Sequence, residues 1–248
     1  MNKENVLFSI VGVLVGFIVG FVFANTANRA GAAPQGGTAA VAQQVEGLPP
    51  GHPAVDPAQM RPKVDEAALG AALKLADEQA GNFAAQTNAA NLSAQAGRYD
   101  DAAKFYTRAN SLKPGDYETL VALGNTFFDA ERLEEAEPWY AKALAQNPKD
   151  VNVRTDMGLT FLLRERPQYE RAIAEFKRSL EVEPAHPQTL QNLTVAYTRK
   201  GDLASAEAAL AKLRAAAPQS PALEQLRSGI EKAKSSTSVE TSAVKAEK

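Results

Sequence analysis

Cysteine is absent from this chain of 248 residues, and histidine occurs only twice. Disulfides, thiol nucleophiles and thiolate metal sites are therefore excluded in any compartment. His52 and His186 each precede a proline, a context that puts both in turns, and no cluster supplies the three or four protein ligands that zinc normally gathers. A glycine-rich phosphate loop, a zincin helix and a Gly-x-Ser-x-Gly elbow are also missing. Charge of one sign is scarce too: 27 basic and 29 acidic residues are interspersed and leave a formal net charge of -2, which gives no footprint for nucleic acid. These absences predict a protein that is not an enzyme, holds no cofactor and no metal, and acts by binding.

One segment stands out for lacking charge altogether, Val6 to Phe23. At about 1.5 Å per residue it gives roughly 27 Å of helix, close to the ~30 Å hydrocarbon core of a bilayer. We expect residues 6–24 to be a single transmembrane anchor behind a stub of residues 1–5. A cleaved secretory signal is the alternative, with Val22 and Ala24 at the cleavage site. The length of the run, and the offset of Lys3 by Glu4, favour the anchor. So short a stub predicts a cytoplasmic amino terminus and a periplasmic remainder at a bacterial-type inner membrane. Gly12, Gly16 and Gly20 fall four apart, a small-residue strip for packing against another membrane helix or a second copy of the chain. Residues 25–63 contain no aromatic residue, five glycines and six prolines, so they read as a flexible tether with a stiffer stretch at Leu48 to Pro53. Its reach is about 31 to 37 Å.

The centre of the chain is periodic. Pro114, Pro148, Pro184 and Pro218 fall 34, 36 and 34 residues apart, and each closes a block of one plan. Twelve residues before each proline is an alanine: Ala102, Ala136, Ala172 and Ala206. Tyr99, Leu133, Tyr169 and Leu203 stand three residues earlier, and Tyr106, Tyr140, Phe176 and Leu210 four residues later. These offsets put a small residue between two large ones on one helical face, which lets a neighbouring helix approach closely. The preceding helix of each block has its own stripe: Ala89 and Ser93, Leu123 and Phe127, Met157 and Phe161, Leu193 and Tyr197. Gly124 and Gly158 follow the first member in the two central blocks, with Ala90 and Thr194 in the outer two. Asp100-Asp101 and Glu134-Glu135 open second helices, where acids suit the positive helix end.

From Gly81 to Pro218 this pattern resembles the tetratricopeptide repeat, a helical hairpin of about 34 residues. The block with Leu123-Gly124, Phe127, Ala136, Tyr140, Ala143 and Pro148 fits it best. The resemblance implies an all-α solenoid of four hairpins within residues 82–218, spanning about 83–116, 117–150, 151–186 and 187–220. The third carries two extra residues within Arg164 to Gln168, which predicts a longer turn. Asp65 opens a flanking helix over 64–81 with an apolar stripe at Leu69, Ala72, Leu73 and Ala76. Ser220-Pro221 opens a capping helix over 221–234, with Leu223, Leu226 and Ile230 as its stripe. Residues 235–248, rich in Ser, Thr and Lys, read as a disordered tail.

In this family the first helices of successive hairpins line a concave groove. The resemblance puts Thr87, Asn88, Asn91, Val121, Asn125, Phe128, Thr155, Leu159, Leu162, Gln191, Asn192, Val195 and Thr198 on or near it. Amide side chains suit an extended peptide backbone, and the apolar residues suit its side chains; Asn91 and Asn125 hold equivalent places. Some relatives grip an acidic carboxyl-terminal tail with lysine, asparagine and arginine. Here Asn91 is kept, but Thr87, Ala122, Asn152 and Asp156 stand where the remaining grip belongs. We therefore expect a neutral or mixed peptide and poor binding of acidic tails. A second surface is the outer face at Trp139, an interface-prone residue type. The functional expectation is a membrane-anchored scaffold or adaptor that binds other proteins through peptide segments. An accessory factor of cytochrome c maturation or envelope complex assembly, a factor using His52 for metal or catalysis, and a released periplasmic carrier are the alternatives.

Overall fold

The computed structural model describes residues 64–246, and side chains as far as Ser235. The stub, the anchor at 6–24 with Gly12, Gly16 and Gly20, the tether and His52 all lie outside the described residues. Within them the chain forms ten helices and no strand. A flanking helix α1 (Glu66–Glu78) precedes four hairpins: α2 (Phe83–Gln95) with α3 (Tyr99–Leu112), α4 (Tyr117–Asp129) with α5 (Leu133–Gln146), α6 (Val151–Leu162) with α7 (Tyr169–Val182), and α8 (Pro187–Lys200) with α9 (Leu203–Ala216). A last helix, α10 (Ala222–Ala246), follows. Each helix packs on its predecessor, and the second helix of one hairpin packs on the first helix of the next, as a solenoid requires.

The same local devices set each hairpin. Asn82, Asp116, Asp150 and His186 hold equivalent positions ahead of the first helices, and each side chain accepts from the backbone N–H three residues on. His186 is thus an N-cap, with Pro187 in the first helical turn. In the longer third turn the Gln168 N–H reaches the Phe161 carbonyl, whereas in the first, second and fourth hairpins the inner turn closes with the N–H of Arg98, Arg132 or Asp202 donating back to the carbonyl of Ser93, Phe127 or Tyr197, the bond of a Schellman ending. That turn needs a left-handed residue, supplied by Gly97 at φ 75°, Gly201 at φ 85° and, in the second hairpin, Glu131 at φ 60°. The two inserted residues lengthen the third turn without disturbing α6 or α7. They also deliver Arg164, which is 8 % exposed and pairs with Glu137 of the preceding hairpin.

The four periodic alanines are fully buried, and Tyr106, Tyr140, Phe176 and Leu210 are buried beside them. In the two central hairpins glycine makes room for the partner ring: a Cβ at Gly124 would stand 2.5 Å from the Tyr140 ring, and one at Gly158 2.5 Å from the Phe176 ring. In the fourth hairpin the partner is Leu210, whose smaller side chain leaves room for the fully buried Thr194. Nothing in the structure explains why Ala90 fits against Tyr106 in the first.

The two ends differ from expectation in detail. Asp65 caps α1, accepting from the Ala67 N–H at 2.9 Å, and Gln86 of α2 donates its carboxamide to the Ala76 carbonyl. Helix α1 ends at Glu78, short of Gly81. Helix α10 does not stop near Lys234 but continues to Ala246. No proline or glycine interrupts Ile230 to Ala246, so composition rich in serine and threonine lowers helix propensity there without breaking the helix.

Candidate functional site

The side chains read as a groove come from α2, α4, α6 and α8, and the structure divides them by depth. Asn88 and Asn91 are exposed, and Thr87, Asn125, Gln191, Val195 and Thr198 are half-buried. Val121, Phe128, Thr155, Leu159, Leu162 and Asn192 are buried. These six therefore present less surface than the seven beside them. The cause is packing: the central first helices are covered by their own second helices and by the adjoining hairpin. The Thr155 hydroxyl, for example, donates to the Val151 carbonyl at 2.7 Å and shares a 2.6 Å hydrogen bond with Thr189 of the next hairpin.

Asn91 and Asn125 turn out to be linked to the hairpin partner helix. The Tyr106 hydroxyl donates to Asn91 Oδ1, and the Tyr140 hydroxyl donates to Asn125 Oδ1 at 2.8 Å. The carboxamide oxygen is therefore engaged, and the amide hydrogens are the groups left to donate. At the same two places the third hairpin has Leu159 with Phe176, and the fourth has Val195 with Leu210. The row thus begins with polar, hydroxyl-anchored amides and ends with aliphatic side chains. Sequence reading found the asparagines but not their anchors. The signal was available, because Asn and Tyr occur together in two hairpins and are replaced together in the other two.

Electrostatics concentrate between the second and third hairpins. Asp156, on α6, is 6 % exposed; burial first, then the charges of Asp150 and Asp129, push its carboxyl group up to about 8. Tyr140 is also raised well above its ordinary value, by burial and then by Asp156 and Asp129. On the other flank of α6, Arg154 pairs with Glu175 at 2.9 Å, and Arg178 binds the second oxygen of Glu175. Glu137 receives Arg164 and Arg171, and those guanidinium groups lie 5.0 and 3.9 Å from the Phe161 ring centre. Trp139 is half-buried within its own hairpin, with the Lys142 ammonium 4.1 Å from its ring centre. Asp101 and Glu135 pair with the arginines preceding their helices, Arg98 and Arg132. Among the described residues there is no group of three or more potential metal ligands, and no helix is long and apolar enough to cross a membrane.

Stacked helical hairpins with one recurring packing plan define this as a helical-repeat protein, and a helical repeat of this period has a family. The family model of the tetratricopeptide repeat matches residues 93–155 and 163–230, more than half of the chain, and the chain belongs to that family. No curated protein matches it in sequence. Among solved structures it is similar to YrrB, described as a TPR protein with an unusual peptide-binding site (20% identity, 66% of this chain and 83% of that one, TM-score 0.58). It is similar also to PilW, described as a widely conserved type IV pilus biogenesis factor (23% identity, 68% and 77%, TM-score 0.57). A third is a tetratricopeptide repeat protein from Parabacteroides merdae ATCC 43184 (19% identity, 73% and 70%, TM-score 0.59). At these identities the likeness establishes the fold.

Proposed function

We propose that this protein is a non-enzymatic scaffold that binds an extended segment of a partner protein along the first-helix row of its repeats. One observation carries the reading. Asn91 and Asn125 present amide donors at equivalent places one repeat apart, each held by a tyrosine hydroxyl. Fixed donors at a regular interval suit the carbonyls of an extended peptide, and fixing them beforehand lowers the entropy lost on binding. Val195 and the half-buried Thr198 extend the row towards apolar side chains of the ligand. That YrrB is described as peptide-binding agrees with this use of the fold.

The uncharged run at 6–24 and the tether at 25–63 complete the proposal: a single-pass anchor holds the array at the periplasmic face of a bacterial inner membrane, with Gly12, Gly16 and Gly20 available for pairing in the bilayer. Photo-crosslinking amino acids placed at Asn88, Asn91 and Gln191, and for contrast at Lys142 and Lys177 on second helices, test the binding face in native membranes. Crosslinks to a partner confined to the first three positions support it; crosslinks confined to the second helices overturn it. Alkaline extraction and protease protection of the same membranes test the anchor and its orientation.

A further inference from the structure

Asp156 stands at the position held by Asn88, Ala122 and Asn192 in the other hairpins. It is 6 % exposed, and among the described residues no hydrogen bond or ion pair reaches its carboxyl group. Buried carboxylates normally collect donors or a cation, because the charged form is costly to desolvate. Here the surroundings do the reverse, since Asp150 and Asp129 add like charge. The two central first helices, α4 and α6, carry Glu118, Asp129 and Asp156 against a single cation, Arg154. That arginine is committed elsewhere, to Glu175 at 2.9 Å and the Pro148 carbonyl at 2.8 Å. One hairpin on, at the equivalent position, Asn192 is also buried with its Nδ2 lacking a partner. Two adjacent repeats thus leave polar groups unsatisfied at one register of the row, and the charges that act most on the first, Asp150 and Asp129, are both acidic.

We propose that Asp156 receives the ammonium group of a lysine side chain from the peptide bound along the first-helix row. This rests on the peptide-binding reading above and adds the chemistry of the ligand. A lysine supplies the donors that Asp156 lacks and offsets the field of Asp129 and Asp150, so its arrival favours the ionised carboxylate over the protonated form of the free protein. Its compact head on a flexible stem needs less room beside a buried carboxyl group than a planar guanidinium does. Nearby, Asn125 keeps its amide hydrogens for the peptide backbone, because Tyr140 already occupies its oxygen. The same arrangement repels an acidic tail.

The test uses the full chain and three matched sets of arrayed peptides of about a dozen residues, identical in design except for Lys, Gln or Glu at one central position. We expect the lysine set to bind about tenfold more tightly than the glutamate set, the scale of one charge-assisted hydrogen bond. Asp156→Asn, which keeps size and shape, erases that preference while the helical signal is retained and the melting temperature does not fall. Equal binding of all three sets, unchanged by Asp156→Asn, overturns the lysine assignment and leaves the groove reading standing. An equal loss of all three sets in the variant also overturns it, because Asp156 would then act only on structure. Absence of binding to any set overturns the groove reading itself.

Discussion

The first two hairpins and the last two solve one packing problem with different chemistry. In hairpins one and two a tyrosine from the second helix reaches across to an asparagine of the first. In hairpins three and four the same contact is made by Phe176 beside Leu159 and by Leu210 beside Val195, with no polar link. An apolar pair gains from area removed from water, whereas a hydroxyl–amide pair must satisfy both polar groups to break even. Polar links fall on the row proposed above to bind peptide, and their distribution follows that row rather than the most stable part of the array. The seam between the halves is where charge gathers, with Asp156, Arg154 and the Glu137 network all close to it.

The largest effect comes from exchanging the space-filling rule of hairpin three for that of hairpin four. Gly158→Thr alone drives a side chain into the buried Phe176 ring, from which an added Cβ would stand only 2.5 Å, and should cost about 3 kcal/mol. Adding Phe176→Leu recreates the Thr194–Leu210 pair. It should recover about 1 kcal/mol or more of coupling in a double-mutant cycle followed by denaturant unfolding. Absence of coupling would mean that glycine is not placed for the ring.

Asp156 tests the seam through pH. Its carboxyl group holds a proton up to about 8 in the folded chain, against about 3.9 in the unfolded one. Between those values folding takes up a proton, so raising the pH works against the folded state. The stability is fully present below the unfolded value, falls as pH climbs towards the folded one, and levels off above it. The slope should be about 1 kcal/mol per pH unit between pH 5 and 8. Asp156→Asn should flatten it, which unfolding curves at pH 5, 6.5 and 8 would show.

What could be read from sequence was whatever recurs. Four alanines at fixed distance from four prolines identify the hairpins, because equivalent positions in a stacked array meet equivalent neighbours. Depth was not legible in the same way. Asn88, Asp156 and Asn192 share one register, yet the first is exposed and the other two are buried, because depth depends on what the neighbouring hairpins contribute. The bond from Tyr140 to Asn125 spans fifteen residues and lies across two helices, so neither helix's own periodicity reports it. The continuation of α10 to Ala246 is not legible because serine and threonine are weak helix formers that resemble a helix end. A helix tolerates them when no proline or glycine intervenes.

The polar link can be removed from one side or from both. Asn125→Leu leaves the nearly inaccessible Tyr140 hydroxyl without its acceptor and should cost about 1 to 2 kcal/mol. Tyr140→Phe leaves the half-buried Asn125, which water can still reach, and should cost about 1 kcal/mol or less. Together they install the pairing of hairpin three and should come near to neutral in stability. Peptide binding should nonetheless weaken, since the amide donor is gone. Unchanged peptide affinity in the double variant would separate the asparagines from recognition and reduce them to packing.

The smallest effect concerns the turns, where the second hairpin departs from the first and fourth. Gly97 and Gly201 adopt left-handed backbone at no steric cost, but Glu131 adopts it at φ 60° with a side chain present. Glu131 is exposed, and its backbone N–H already donates to the Phe128 carbonyl at 2.9 Å, so removing the side chain disturbs no packing. Glycine there relieves the strain of the left-handed conformation while widening the freedom of the unfolded chain, and these terms oppose each other. Relief wins in the left-handed region, so Glu131→Gly should stabilise the array by about 0.5 to 1 kcal/mol. The converse change, Gly97→Glu, should destabilise it by a similar amount. If thermal unfolding shows both substitutions to be neutral, the turns are not what sets the angle between paired helices, and the buried alanine contacts alone hold each hairpin closed.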